Sequence, residues 1–348
     1  MISTAMLINF VLKEELSGTS TLRIRRCFML SDVEISEEEL QELEEELKKL
    51  EEDKNRKDML SKHEKAEKEV KPYARILGIT RISTGIPELD NALEGGVPKG
   101  SWVAITGEPG TGKSILCMHF AWAGLKAGDP VVYVTTEAEF RDVIRQGKMF
   151  GMDFEQFKIY DISGGRESSE TPNIVVVDIF GLLKIARQMS ELASPDAETM
   201  RKRRFAALDI QTLIAAIHEA YKVLGVLKEG GRSPVKHVRL VIDSLSAFWA
   251  DKPAMARKYS YELKIATHRE NVTAYLVSQY AMTTKSTFGF GLEHIADGVF
   301  HLWMDDVEAK KEVARYMIIK KMRMTNHAKY AFKVEITPNK GISLIPTK

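Results

Sequence analysis

The sequence predicts an α/β fold: a mostly parallel twisted sheet flanked by helices, with antiparallel strands near the C-terminus and a charged helix in front. Three observations carry this expectation. The run GEPGTGKS at 107–114 sits between a short apolar stretch, SWVAIT (101–106), and an apolar run, ILCMHFAWAGLKA. Strand, glycine-rich turn and helix in that order form the P-loop unit. Two later stretches, VRLVID (238–243) and TAYLVS (273–278), are apolar throughout rather than alternating, as strands buried on both faces are. Strands and helices then alternate along the chain, which predicts a right-handed, doubly wound sheet.

The elements follow in order. Residues 1–32 carry little pattern. At 33–71 the chain turns strongly charged, and ISEEEL reads as a helix start. Ser36 caps, Glu39 closes the capping box, and Ile35 can staple to Leu40. Leu40, Leu43, Leu47 and Leu50 make a seam of under two heptads, short of the ~3–4 that argue for a coiled coil. This extension is expected to be a solvated tether or a docking helix for itself or a protein partner. Pro72 ends it.

From 76 to 348 the composition is that of one compact α/β domain. Its helix after the P-loop is expected to close at Gly128. VVYVTT (131–136) and FKIYD (157–161) are further strands. Residues of about 165–205 read as an insertion that contains IVVVD and the basic run RKRRF, taken as a solvated helix face. Segments 298–304, 314–321, 329–336 and 342–345 are expected to be antiparallel strands at one sheet edge.

Composition narrows the function classes. The 348 residues carry a net charge of +1, so no global basic field points to nucleic acid. Cys27 and Cys117 are the only cysteines, which argues against a disulfide framework or zinc site and for an intracellular, cytoplasmic protein. No apolar run approaches the ~20 residues that span a bilayer, and the N-terminus lacks a basic n-region for a signal peptide.

The chemistry is expected at GEPGTGKS. Glycines 107, 110 and 112 permit torsions that other residues avoid, so that successive N–H groups form an anion cradle at a helix N-terminus. Gly110, Thr111, Gly112, Lys113, Ser114 and Ile115 are the candidate nucleotide contacts. Lys113 is expected to reach the β- and γ-phosphates and Ser114 to offer its hydroxyl to Mg²⁺. A guanine-selective NKxD motif is absent (339–342 is NKGI), which favours ATP.

Such a site needs a second carboxylate at the end of another apolar strand for the magnesium shell. Asp178, after IVVV, and Asp243, after VRLVI, compete. Asp243 is favoured because Asp178 lies in the apparent insertion. Glu137, directly after the second strand, is the candidate base for the attacking water, and Glu139 is expected to face away. Gln279, at the end of TAYLVS, is placed to sense the γ-phosphate. The loop that follows, YAMTTKSTFGFG, is a ligand-responsive loop or a connector. Lys321 and Arg323 alternate on one candidate strand without an acidic neighbour in sequence. That pattern suits a finger completing another copy's site.

These residues together resemble the KaiC-like ATPases of the RecA superfamily, archaeal single-domain type. RISTGIPELDNALEGGVPKGSWVAITGEPGTGKS matches that family's opening. VVYVTTEAE, FGMDF, LDIQTLIAAI, VRLVIDSLSAF and GLEHIADGVFHLW follow in order, and KKMRMTNHAKYAFKVEITPNKGISLIP resembles its ending. The resemblance covers about 76–348. It implies a RecA-type P-loop NTPase core, ATP and Mg²⁺ as ligands, and homo-oligomeric rings, often hexamers, with ATP between subunits. It makes Glu137 the catalytic glutamate and Asp243 the Walker B aspartate. Lys321, Met322, Arg323, Thr325 and His327 then approach the neighbour's nucleotide. Two departures stand out. The domain occurs once here, where the clock protein KaiC repeats it. The adjacent paired glutamates become Glu137-Ala138, which leaves autokinase activity without one acid. The function expected first is a ring-forming regulatory or signalling ATPase. A RadA-paralogue-like ATPase contacting single-stranded DNA through 280–291 is the alternative. A slow-turnover scaffold docking partners through 33–70 is another.

Overall fold

The computed structural model describes residues 78–162, 171–189, 208–226, 235–248, 255–279, 291–305 and 312–347. The chain divides into two units, Met1–Tyr73 and Ala74–Lys348. The expected helix at 33–70, Cys27, the loop 280–290 and the basic run at 201–205 lie outside the described residues.

The described elements are β1 (Arg81–Ile82), α1 (Pro87–Ala92), β2 (Val97–Pro98), β3 (Trp102–Gly107), α2 (Lys113–Ala127), β4 (Val131–Thr135), α3 (Phe140–Met149), β5 (Ile159–Asp161), β6 (Ile174–Asp178), α4 (Ile179–Met189), α5 (Ile210–Val223), β7 (Val238–Asp243), α6 (Ala256–Thr267), β8 (Val272–Gln279), α7 (Leu292–Ile295), β9 (Gly298–Met304), β10 (Arg315–Met322), β11 (Phe332–Thr337) and β12 (Gly341–Pro346). Ten strands form one sheet in the order β12-β11-β10-β9-β3-β8-β7-β4-β6-β5, and β1 pairs with β2 in a small ribbon.

Sequence period explains the layers. Along β3, Val103 and Ile105 face one core, while Trp102 and Ala104 face the other. Helices α1, α2 and α3 cover the first face; α4, α5 and α6 cover the second. The central strands are buried on both sides and hence apolar at every position. In β10 and β11 the burial alternates, and Met317, Ile319, Phe332 and Val334, with Ile342 and Leu344 of β12, extend only the first core. One-sided burial is what an antiparallel extension of the sheet permits.

One expectation is corrected. Residues 298–304 are not antiparallel to the core: β9 runs parallel to β3, pairing Val103 with Gly298 and Gly107 with Leu302, and the antiparallel part begins with β10. Among its described residues, the crossover between β8 and β9 holds a four-residue helix, too short to leave a periodic signal. Ile174–Asp178, within the segment read as an insertion, forms a strand of the main sheet. It lies inside the sheet between β4 and β5.

Helix α2 ends as expected at Gly128, whose φ is 84°, a left-handed torsion that glycine accepts freely. Behind α2, Arg239 of β7 points into the first core. It donates from Nη1 to Ser83 O (2.6 Å) and Phe120 O (2.9 Å), and from Nε to Asp129 Oδ2 (3.1 Å). Its guanidinium lies 4.7 Å from the Phe120 ring centroid. Removing one side of such a buried pair leaves an uncompensated charge. Arg239→Ala is therefore expected to cost about 3 kcal/mol in urea unfolding, with no measurable loss counting against the role of this pair in joining α2 to the sheet.

Candidate active site

The site forms where the parallel strands end. Gly107 of β3 pairs with Gln279 of β8, and Thr135 of β4 pairs with Asp243 of β7. Between β3 and α2 the loop 108–112 turns tightly. At Gly107 a Cβ would lie 2.0 Å from Leu302 O, so only glycine lets β9 pair this closely. Gly112 has φ 100° and begins α2. Its absent side chain leaves room for Ile336, whose Cδ1 would lie 3.1 Å from a Cβ there.

The residues converge on a cavity of about 530 Å³. Gly110, Gly112, Lys113, Ser114, Ile115, Glu137, Asp243 and Gln279 all line it. Lys113 Nζ donates to Glu108 O (2.6 Å), which also accepts from Thr111 Oγ1 (2.8 Å). Thr111 is thus buried and turned to its own loop, not into the cavity. The Glu137 carboxylate accepts from Ser244 Oγ (2.5 Å) and from Gln279 Nε2 at both oxygens (2.8 and 2.7 Å). Ser244 is in turn tied to β4: its backbone N donates to Thr136 Oγ1, and its carbonyl accepts from the same hydroxyl, both at 2.9 Å.

Burial governs the charges. It pushes Asp243 up to about 6, although Ser114 donates a hydrogen bond to it and Lys113 lies near. Burial likewise lowers Lys113. Two opposite charges thus stand where each is poorly solvated, a common signature of a functional cleft. The oxygens of Ser114 and Asp243 are hard donors, and one hydroxyl with one carboxylate suits Mg²⁺, which takes its remaining ligands from water and phosphate.

The two remaining acids lie elsewhere. Asp178 ends β6, one strand beyond β4 from Asp243. It accepts from Phe140 N (2.8 Å) and Gly181 N (2.7 Å) at the starts of α3 and α4. Glu139 pairs with Lys184 (2.7 Å) and with Arg141. Both acids border a second cavity of about 610 Å³, away from the P-loop.

The other expected contacts lie at the opposite end of the sheet. β10 starts at Arg315, whose Nε donates to Gly110 O (2.9 Å), and runs away from the P-loop. Lys321 is six residues on, roughly 20 Å distant at about 3.3 Å per residue. Its Nζ donates to Ala296 O (2.5 Å) and lies 3.3 Å from Glu293 O. Arg323 does have an acidic partner, contrary to the expectation from its sequence neighbours: Nη1 lies 3.0 Å from Asp297 Oδ1. Met322 is 5% exposed and belongs to the core, so its side chain is not a nucleotide contact. Thr325 accepts from Arg81, and His327 Nδ1 sits 2.8 Å from Ala328 O.

Sequence reasoning missed Arg315, Gln146 and Ile336 in the cavity wall, and Ser244 as the support of Glu137. Only Ser244 carried a local signal, by following Asp243 directly.

Comparison with known proteins identifies the family. The family model for the KaiC ATPase matches residues 82–173 and 183–348. The chain belongs to the KaiC ATPase family. A UPF0273 protein of Methanopyrus kandleri is 33% identical over 78% of this chain and 94% of its own length. One from Thermotoga maritima is 32% identical over 78% of this chain and 98% of its own. The crystal structure of a KaiC-like protein from Pyrococcus horikoshii superposes with a TM-score of 0.55 at 28% identity, covering 77% of this KaiC-family chain and all of that one. The core is therefore RecA-type. No helix among its described residues is long and apolar enough to cross a membrane.

The raised Asp243 carries a cost when ionised. Its folded pKa lies above its unfolded value near 4, so the penalty is full above pH 6 and absent below pH 4. Asp243→Asn is expected to stabilise the nucleotide-free protein at pH 7.5 by on the order of 2 kcal/mol. The gain should vanish by pH 4. Denaturant melts across that range check it; a gain that persists at pH 4 would contradict burial as the cause.

Proposed function

We propose that this chain binds ATP with Mg²⁺ and hydrolyses it, and that it does so in a ring of copies. The observation that carries the reading is the placement of Glu137. Its carboxylate opens into the same cavity as Lys113, Ser114 and Asp243, held there by Ser244 and Gln279. The N-terminus of α2 and the loop 108–112 supply backbone N–H groups for phosphate oxygens. Lys113 exchanges its bond to Glu108 O for the β- and γ-phosphates. Ser114 and Asp243 hold the metal ion, which neutralises phosphate charge when bound. Glu137 accepts the proton of the attacking water. Gln279 touches both Glu137 oxygens, so a γ-phosphate that draws this amide away changes how the base is held.

Lys321 and Arg323 lie too far from their own P-loop to act there. Their position supports action on a neighbouring copy, with the nucleotide between the two. A homo-hexamer of this kind is the assembly proposed. A regulatory or signalling role for it rests on the family likeness. DNA contact through 280–291, of which only Gly291 is described, and docking through 33–70 concern segments outside the described residues.

Two experiments test the reading. Glu137→Gln should keep ATP binding and lose turnover by about 100-fold or more, whereas Lys113→Ala should lose ATP binding or turnover; undiminished hydrolysis in either variant would end the assignment. Arg323→Ala should be slow alone yet recover turnover when mixed with Lys113→Ala subunits, because each lends the other what it lacks. A mixture no faster than its components argues against sharing of sites.

A further inference from the structure

The loop between α7 and β9 carries a carboxylate that the chemistry above leaves unused. Asp297 is largely buried, with a side-chain exposure of 16%. Its two oxygens have different tasks. Oδ2 accepts from Trp102 N (3.0 Å), the first residue of the P-loop strand, and from Lys264 Nζ (3.1 Å) on α6. The backbone locks in as well: Asp297 N donates to Trp102 O (2.7 Å), and Arg323 N donates to Asp297 O (2.9 Å). With Oδ2 fixed from two sides, Oδ1 is presented outward in one orientation. There it meets Arg323 Nη1 at 3.0 Å.

Arg323 itself is 56% exposed. A guanidinium has five N–H donors in a planar fork, so a single bond from Nη1 leaves the other donors for a ligand. An exposed arginine otherwise samples many rotamers. One carboxylate anchored on the strand that ends in the P-loop restricts that freedom. Beside it, the carbonyls of Glu293 and Ala296 hold Lys321. Segment 293–297 thus forms a socket for both cations. Arg81 is not part of it, being paired with Glu94 and Thr325.

We propose that Asp297 is a positioning residue that holds Arg323 ready for the nucleotide of a neighbouring copy of this chain. The inference rests on the reading that Arg323 acts between copies. It adds that the orientation of the finger is set within the subunit that offers it. The Arg323–Asp297 pair is a support for the finger and not a clasp that hides it, and the sign of the Asp297 effect separates these.

The test is a double-mutant cycle on steady-state turnover of the assembled full-length protein. Asp297→Asn keeps an acceptor for Trp102 N and loses the charge. It should lower kcat about tenfold, with KM for ATP and the mass of the assembly unchanged. In Asp297→Asn/Arg323→Ala the loss should be no greater than in Arg323→Ala alone. Asp297→Glu, which restores the charge, should recover most of the rate. Mixing Asp297→Asn with Lys113→Ala subunits should also raise turnover, because the defect lies in the finger and not in the subunit's own P-loop. Faster or unchanged turnover in Asp297→Asn overturns the proposal, as does an additive double mutant or a loss of folding or assembly. Full turnover in Arg323→Ala is a different outcome: it removes the role of Arg323 itself and leaves the rest of the ATPase reading standing.

Discussion

The site depends on the register of four parallel strands. β3, β8, β7 and β4 lie side by side, and their pairing brings Gly107 opposite Gln279 and Asp243 opposite Thr135. Glu137, Ser244 and Gln279 lie within two residues of those ends, and the loop that leads to Lys113 and Ser114 starts there. A slip by one residue would turn each strand's side chains to the other face, carrying Asp243 away from Ser114. The register is enforced by two full cores, since each strand has apolar residues on both faces to lose. The helices thus secure the register, and α2 also carries Lys113 and Ser114 into the cavity.

That arrangement places charge where water is scarce. Asp243 and Lys113 are each shifted by burial toward neutrality, despite lying close together. A buried pair of this sort seldom adds stability. Its value on the proposed reading lies in readiness, because a phosphate and a divalent ion entering the cavity would meet groups that have already lost their water. The same economy holds Glu137 between Ser244 and Gln279. Three strands contribute to that one carboxylate, through Glu137 after β4, Ser244 after β7 and Gln279 ending β8.

Much of this was legible in the sequence because it is local. A P-loop is eight consecutive residues, and Glu137, Asp243 and Gln279 each sit at the end of an apolar run. What the pattern cannot show is strand order. IVVVD and LVIDS look alike, and Asp178 and Asp243 even pair with the same Thr135. They differ only in lying on opposite sides of β4, which follows from topology. The same blindness made 298–304 seem antiparallel. Long-range contacts were equally hidden. Asp297 stands 26 residues from the Arg323 it meets, and Arg315 reaches a carbonyl 205 residues away.

The sheet also separates the P-loop from Lys321 and Arg323. β10 is antiparallel to β9, so it begins at the P-loop end and finishes at the far end. Arg315 and Lys321, on a single strand, therefore face opposite edges of the molecule. No side-chain motion closes a gap of roughly 20 Å along a paired strand. If Lys321 and Arg323 meet phosphate, the phosphate belongs to another copy. A strand joining both edges then links the site a subunit owns to the one it serves. Arg315 touches the P-loop carbonyl of Gly110 at one end, and the socket at 293–297 grips the cations at the other. In the proposed ring, this strand, held in register with β9, would be the physical link between neighbouring sites.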